Sequence, residues 1–513
     1  MNGAESLVRT LREAGIDTCF ANPGTSEMQF VDALDRTRAM RCVLGLFEGV
    51  VSGAADGWAR MRGVPGLTLL HLAPGFANAA ANLHNARKAR TPLVNLVGDH
   101  ASAHQAYDAP LTADTAGAAA PFSDVVMTAR SAATLGADGA RAVAEAMSGA
   151  GQVVTLIAAS DTGWDEGGVV AELLPPRPRQ PFDAEALERA AKALESAEPC
   201  VIYAGGALLA DTDATALLAG IAAKTGARLF IPVSNRRIER GAGRALLPKL
   251  PYPVDVALER LSGARHAILI EAPEPVAFFA YPGKPSLLLP QDCERLALAT
   301  PHGDGAGAVR ALAQRIGARP AVTDAPRPVA PRPGKIDPES LAAAVAAALP
   351  EGVIVVDEVI TAGRFAYDAT AGAPPMTWLA ITGGSIGIGP PLATGAAIAC
   401  PDRPVVALQA DGSAMYTIQA LWTQAREGAN VTTVILANRA YEILKQELFR
   451  VGANPGRDAL DMLEINRPEL DFVGLARSMG VPGRRIEDAA ELVRTIAAAV
   501  REPGPFLVEA VID

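Results

Sequence analysis

Cysteine, aromatic residues and positive charge are all scarce in this chain, and each scarcity narrows what it can be. Its 513 residues hold five cysteines (Cys19, Cys42, Cys200, Cys293 and Cys400), odd in number, far apart and never in a Cys-x-x-Cys. Neither a disulfide framework nor a zinc knuckle is written there, so a reducing, cytoplasmic setting is expected. Lys and Arg number 46 against 56 Asp and Glu, a formal net charge of -10. With no long basic run to neutralise phosphates, nucleic-acid binding is not expected. No apolar run reaches bilayer-spanning length, and the start, Met1 to Thr10, reads as an amphipathic helix without the apolar core of a signal peptide. A soluble protein with no membrane contact is the expectation. Aromatics supply only 5% of the residues, but hydrophobic residues make up 50% and charged ones 20%. That is enough to bury several cores and excludes a disordered or fibrous chain.

What is present is an alternation. Short β-rich runs (Leu67–His71, Leu93–Val97, Val153–Ile157, Val201–Ala204, Ala267–Ile270, Val353–Val356, Val405–Leu408, Val431–Leu436, Phe506–Val511) are separated by Ala-rich helical stretches. This is the pattern of parallel sheets covered by helices on both faces, an α/β fold. One open sheet does not keep growing over such a length. Proline-rich connectors at Leu174–Pro181 and Arg319–Asp337 divide the chain into three doubly wound parallel-sheet domains, 1–170, 183–318 and 335–513. The first and third each open with an amphipathic helix, Glu5–Ala14 and Pro338–Ala348, leading into a strand.

The most informative stretch is Val405-Val-Ala-Leu-Gln-Ala-Asp411-Gly412-Ser413, followed by a helical run to Gly428 and then Val431-Thr-Thr-Val-Ile-Leu-Ala-Asn438-Arg-Ala440-Tyr441. A buried strand ends in an acid, Gly412 lets the backbone approach closely, and Ser413 starts a helix whose N–H groups can hold a phosphate. The next strand ends in Asn438. Open α/β sheets bind ligands at these carboxyl ends, and a carboxylate, an amide oxygen, a loop carbonyl and diphosphate oxygens suit Mg2+. The segment resembles the signature of the thiamine diphosphate (ThDP) enzymes, Gly-Asp-Gly and, after a gap, Asn-Asn. Ala410 and Ala437 depart from it, at positions that supply no metal ligand in the family. The resemblance implies Asp411, Asn438 and the Ala440 carbonyl as Mg2+ ligands, and Gly412, Ser413 and Tyr441 as further contacts to ThDP.

A second segment, Phe47-Glu48-Gly-Val-Val-Ser-Gly-Ala-Ala-Asp-Gly57-Trp-Ala-Arg60, puts an acid at the start of a helix crowded with small residues. By itself Glu48 reads as a first-turn acid, favourable at the positive helix end. In the ThDP family a Glu in a similar motif pairs with the aminopyrimidine ring and promotes removal of the thiazolium C2 proton. The implied architecture is a pyrimidine-binding domain, a central dinucleotide-fold-like domain and a diphosphate-binding domain, with active sites at the interface of a homodimer or homotetramer. In Ile381-Thr-Gly383-Gly384-Ser385-Ile386-Gly387, the family places an apolar wedge between the coenzyme rings; Ile386 is the candidate, with Gly384 and Ser385 beside it.

Asn22-Pro-Gly24-Thr25-Ser-Glu27 and Leu70-His71-Leu-Ala-Pro-Gly75 resemble the loops that present a hydroxyl and a histidine to the substrate in benzoylformate decarboxylase. Thr25 and His71 are the matching residues. That enzyme's second histidine has no counterpart in Ala277-Phe-Phe279-Ala-Tyr281, which leaves Phe279 as a candidate substrate neighbour. His100-x-x-x-His104 has metal-ligand spacing if helical, but no third ligand is evident; His104 and Gln105 are read instead as candidate substrate contacts.

The chain also resembles the large subunit of acetohydroxyacid (acetolactate) synthase. Its middle segment, with only Gly205-Gly206 after Tyr203, lacks G-x-G-x-x-G, so FAD is not expected. Gly383-Gly-Ser385-Ile-Gly387 matches the nucleophile elbow of hydrolases, but all six histidines precede Ser385, the wrong chain order. The reading is a ThDP- and Mg2+-dependent decarboxylase or carboligase acting on a 2-oxo acid, acetolactate synthase-like. Benzoylformate decarboxylase-like aldehyde release is one alternative, and a non-catalytic regulatory paralogue is another.

Overall fold

A computed structural model describes residues 1–38 and 40–512. Runs of Val, Ile and Leu form strands because such side chains pack well on a pleated, covered surface. The first sheet takes β1 (Thr18–Asn22), β2 (Arg41–Leu44), β3 (Gly66–Leu70), β4 (Leu93–Asp99), β5 (Val125–Thr128) and β6 (Val153–Ala159) in the order β2-β1-β3-β4-β6-β5, all parallel. Helices cover both its faces, one over a core containing Leu7, Phe30 and Leu96, the other over Phe20, Trp58 and Phe76.

The central sheet, also parallel, is built from β7 (Cys200–Ala204) and β8 (Arg228–Phe230), then β10 (His266–Ile270) and β11 (Glu294–Ala299), in the order β11-β10-β7-β8. The intervening β9 (Ile238–Arg240) leaves it and pairs antiparallel with the strand Met376–Ala380 of the third sheet. That sheet holds β12 (Ile354–Glu358), β13 (Met376–Ala380), β14 (Val405–Ala410), β15 (Val431–Ala437), β16 (Gly483–Ile486) and β17 (Phe506–Val511), ordered β16-β17-β15-β14-β12-β13-β9. The expectation of parallel sheets thus holds for every pair except β9–β13. One apolar cluster, from Leu187 to Ile512, runs through both the central and the third sheet.

Each of the nine β-rich runs falls on a strand, with only His71 and Val353 outside the strand ends. The two opening helices form at Gly3–Glu13, capped by the Asn2 side chain, and at Pro338–Ala348, capped by Asp337. Segments 171–179 and 319–335 carry neither helix nor strand. Among the described residues no helix is long and apolar enough to cross a membrane.

Candidate functional site

Glu48 opens the helix Glu48–Arg62, entered from extended Phe47 and ended at left-handed Gly63. The small residues let this helix touch the helix Gly389–Ala399: a Cβ on Gly57 would fall 2.1 Å from the Leu392 carbonyl oxygen, and one on Gly395 1.8 Å from that of Ala54. In the same helix the buried Arg60 guanidinium pairs with Asp56 (2.7 Å) and donates to the Ala380 carbonyl at 2.8 Å. Glu48 is itself buried, and its Oε2 accepts a hydrogen bond from Asn78 Nδ2 at 2.9 Å.

Thr25 and His71 line one cavity of about 260 Å³, together with Ser26, His100, His104 and Trp164. Its organiser is Glu27, which stands in the same loop motif as Thr25 but has no role legible in the sequence. This fully buried acid accepts the Gly24 N–H at 2.8 Å, the Ser26 hydroxyl at 2.6 Å and His71 Nδ1 at 2.8 Å. A carboxylate accepting from Nδ1–H fixes the tautomer and leaves Nε2 as the exchanging nitrogen. The packing demands glycine at Gly24, whose Cβ would strike the His71 ring at 2.1 Å. After His71 the chain takes Leu72 at φ +49°, a costly conformation for a bulky residue that the buried setting imposes.

His100–His104 is not helical: the segment is a turn in which the two rings lie 5.4 Å apart. Among the described residues no group of three or more His, Cys, Asp or Glu could hold a metal ion. His104 faces the cavity, whereas Gln105 braces the loop, its Nε2 donating to Asp99 Oδ2 and the His100 carbonyl, each at 3.3 Å.

In the third sheet β14 and β15 are parallel neighbours, so Asp411 and Asn438, each just past a strand end, come side by side. Asp411 Oδ1 accepts the Gly412 N–H at 2.8 Å and Oδ2 the Arg439 N–H at 2.5 Å. Arg439 adopts φ +59°, and its guanidinium is held by Glu469 at 2.8 Å. Asn438 Oδ1 accepts the Ala440 N–H at 3.1 Å. On either side of Ala440, the Tyr441 N–H donates to Leu463 O (2.8 Å) and the Ile465 N–H to Arg439 O (2.9 Å), so Ala440 directs its own carbonyl away from this short ladder. Burial pushes the Asp411 carboxyl up to about 6. A desolvated carboxylate beside an amide oxygen and a ladder-free carbonyl fits a small, hard divalent cation, whose charge would offset that burial.

Ser413 does not start the helix as expected: the turn begins at Asp411 and ends at Ala414, and helix resumes only at Ala420. Between them the buried Thr417 hydroxyl donates to the Gly387 carbonyl at 2.7 Å, which fixes the break. The Tyr441 ring lies over Gly412, where a Cβ would meet it at 2.5 Å. The Gly383–Gly387 loop is gripped by Asn85: its Oδ1 accepts Gly383 N–H (3.0 Å) and Ser385 N–H (3.2 Å), and its Nδ2 donates to Ser385 O (2.7 Å). Phe278 rather than Phe279 meets this loop, its Cζ 2.8 Å from where a Gly384 Cβ would stand. The two residues sit on a bend, and the Phe279 ring packs edge-on against that of Phe278 with centroids 4.9 Å apart.

Asn82 ties the two halves together, its Nδ2 donating to Gly49 O at 2.8 Å and to Gly387 O at 3.5 Å. Among the described residues no hydrogen bond or ion pair joins Glu48 to Asp411 or Asn438 within the chain. In the central sheet, buried Glu271 fills the crevice between the ends of β7 and β10. Its carboxylate accepts the N–H groups of Ala207 (2.7 Å), Leu208 (3.2 Å) and Gly305 (2.8 Å) and pairs with Arg179 at 3.2 Å. Those are the donors with which such a crevice holds a nucleotide's phosphates.

Residues 1–119 match the family described as "Thiamine pyrophosphate enzyme, N-terminal TPP binding domain", and residues 362–510 match its "C-terminal TPP binding domain". Over its full length the chain is 48% identical to a Mycobacterium tuberculosis protein provisionally named acetolactate synthase large subunit IlvX, covering 99% of that protein. It is 27% identical to the benzoylformate decarboxylase of Pseudomonas aeruginosa over 97% of this chain and 96% of the relative. A solved ThDP-dependent 4-hydroxybenzoylformate decarboxylase from Rhodococcus jostii RHA1 superimposes over 100% of this chain and 99% of its own, with a TM-score of 0.84 at 26% identity.

Proposed function

Because the chain belongs to the thiamine diphosphate-dependent enzymes, we propose that it is a Mg2+-dependent decarboxylase or carboligase of a 2-oxo acid, acetolactate synthase-like in reaction. Bound ThDP supplies the nucleophilic carbon and the electron sink for loss of CO2. Glu48, held by Asn78, would face the aminopyrimidine, its carboxylate holding the proton that activation requires. Asp411 and Asn438 side-chain oxygens and the Ala440 carbonyl hold Mg2+, while Gly412, Ser413 and Tyr441 shape the diphosphate side. Gly384, Ser385 and Ile386 line the rings from a loop that Asn85 keeps in place. His71, steadied by Glu27, and Thr25 receive the substrate carboxylate and move protons in a cavity that His104 also lines.

The observation that carries this reading is the gathering of Thr25 and His71 on one cavity, with the buried Glu27 bonded to the histidine from behind and Gly75 next to both Glu48 and His71. A non-catalytic paralogue has no need to keep a buried acid oriented on a histidine. Benzoylformate decarboxylase-like release of an aldehyde is the second reading, favoured by His71 itself. The enzyme acts without FAD, a reading supported by Glu271 in the central crevice. It works as a homodimer or homotetramer in the cytoplasm, where its cysteines stay free thiols. The purified chain, given ThDP, Mg2+ and a panel of 2-oxo acids, should release CO2 together with an acetohydroxy acid or 2-hydroxy ketone. Aldehyde as sole product selects the second reading, and no CO2 from any acid selects the paralogue.

A further inference from the structure

The crevice of the central sheet is filled by the chain itself. Glu271 directly follows β10 and stands at φ +50°, a left-handed conformation that a long side chain keeps only where its surroundings dictate it. Its side chain has no solvent exposure and draws on two separate turns. Oε2 takes the N–H groups of Ala207 and Leu208, and Oε1 takes that of Gly305 at the start of the helix Gly305–Ile316. Both turns are cut to fit the carboxylate. A Cβ on Gly206 (φ +68°) would stand 2.4 Å from Oε2, and one on Gly305 2.6 Å from Oε1.

Positive charge converges on the same point from two domains. Arg179 reaches in from the connector, where Arg177 is anchored on the first domain by Glu145 at 2.7 Å and by its own N–H to the Ser148 hydroxyl at 3.0 Å. Arg236 of the central domain donates to the Arg90 and Ala150 carbonyls of the first at 2.9 and 3.2 Å. Burial and the like charges of Arg179 and Arg60 pull the Arg236 guanidinium down to about 10, with Glu271 and Asp56 acting against them. Burial also lowers Arg90, against which Asp124 and Glu271 act. Asp304, beside the same helix start, is engaged with the Gly307 N–H at 2.8 Å. Main-chain N–H groups, glycines and guanidiniums around one anion make the donor set of a phosphate site. FAD or another dinucleotide does not fit here, because its phosphates would need the space that the Glu271 carboxylate fills.

We infer that Glu271 is a tethered anion standing in for a nucleotide's phosphate, which turns a ligand crevice into a permanent tie between the first and central domains. Without that side chain the crevice is an open oxyanion site, fit for inorganic phosphate or the phosphates of a nucleotide. This goes beyond the reaction proposed above and does not depend on it.

The test compares thermal melting of the full chain, unmodified and as Glu271→Gly, in chloride and in inorganic phosphate at equal ionic strength. Glycine suits φ +50° and empties the crevice. In chloride the variant should melt a few degrees below the unmodified protein, because N–H donors and guanidiniums lose their anion. Phosphate should restore most of that loss with a saturable dose dependence. The unmodified protein, run alongside to cancel any phosphate held at the coenzyme site, should not gain. Glu271→Gln keeps the crevice full but uncharged, so it should melt low in both salts. If phosphate raises Glu271→Gly no more than it raises the unmodified protein or Glu271→Gln, the inference is overturned. Should Glu271→Gly stay unfolded in chloride, refolding yield puts the same question: recovery in phosphate supports the tethered anion, and equal loss in both salts refutes it. Equilibrium dialysis with ADP separates the two sources of the anion, with retention by Glu271→Gly alone expected and equal retention by the unmodified protein counting against a filled crevice. None of these readouts uses turnover, so a chain that releases no CO2 sinks the functional reading alone.

Discussion

Oε2 of Glu27 lies 2.8 Å from Nδ1 of His71, and that carboxylate has no solvent exposure. The imidazole is therefore held by an acid that cannot be replaced by water. His71→Ala should lower the rate of CO2 release by roughly a hundred- to ten-thousand-fold. Glu27→Gln should slow it less but also cost about 1–3 kcal/mol of stability, because buried donors lose an anionic acceptor. Steady-state rates and thermal melts read both, and wild-type turnover in His71→Ala would refute the role.

Glu48 separates binding from chemistry. In Glu48→Gln the Asn78 contact can persist, so ThDP should still bind while turnover falls by roughly a hundred-fold or more. Calorimetry alongside turnover tests this, and an equally fast variant would remove Glu48 from the mechanism.

Asp411 is the one charged group among the assigned cation ligands. Asp411→Ala should abolish Mg2+-dependent retention of ThDP through gel filtration. A variant that still co-elutes with stoichiometric coenzyme contradicts the assignment.

Burial lifts Asp411 from 3.8 to about 6 and Glu358 from 4.5 to about 7. Each folded-state value is raised, so the stability each contributes is complete below the unfolded value and is lost as pH rises through the folded one. Metal-stripped protein should therefore melt at falling temperature between about pH 4 and pH 7, and Asp411→Asn should flatten part of that slope. An identical slope in the variant would show that Asp411 does not titrate in this range.

Gly57→Ala places a methyl group 2.1 Å from the Leu392 carbonyl, where backbone cannot yield cheaply. The cost should be about 1–3 kcal/mol or more, seen as a lower denaturation midpoint. No change would mean that the two helices slide apart freely.

Strands rich in Val, Ile and Leu, such as β6 and β14, are legible because burial on both faces selects for such runs. The three-residue β9, Ile-Glu-Arg, is not: its strand character comes from pairing with β13, far along the chain. The site divides the same way. Asp411, Asn438 and Glu48 stand in local motifs, so spacing found them. Glu27, Asn85 and Glu358 act on partners 44, 300 and 29 residues away, and no short window relates them. Phe278 and Phe279 differ only in which way a side chain turns, which composition cannot distinguish.

The loan of β9 has an evolutionary consequence. Recombination commonly exchanges whole structural modules, but replacing the middle third of this chain would take away the ribbon that closes β13. Its exposed row of amides and carbonyls would then invite pairing with other molecules. Arg240, whose guanidinium lies 3.6 Å over the Tyr367 ring, would leave with it. The two parts can therefore diverge only in step, and a chimaera has to carry Ile238–Arg240 along with the carboxyl-terminal portion to stay folded and free of clumping.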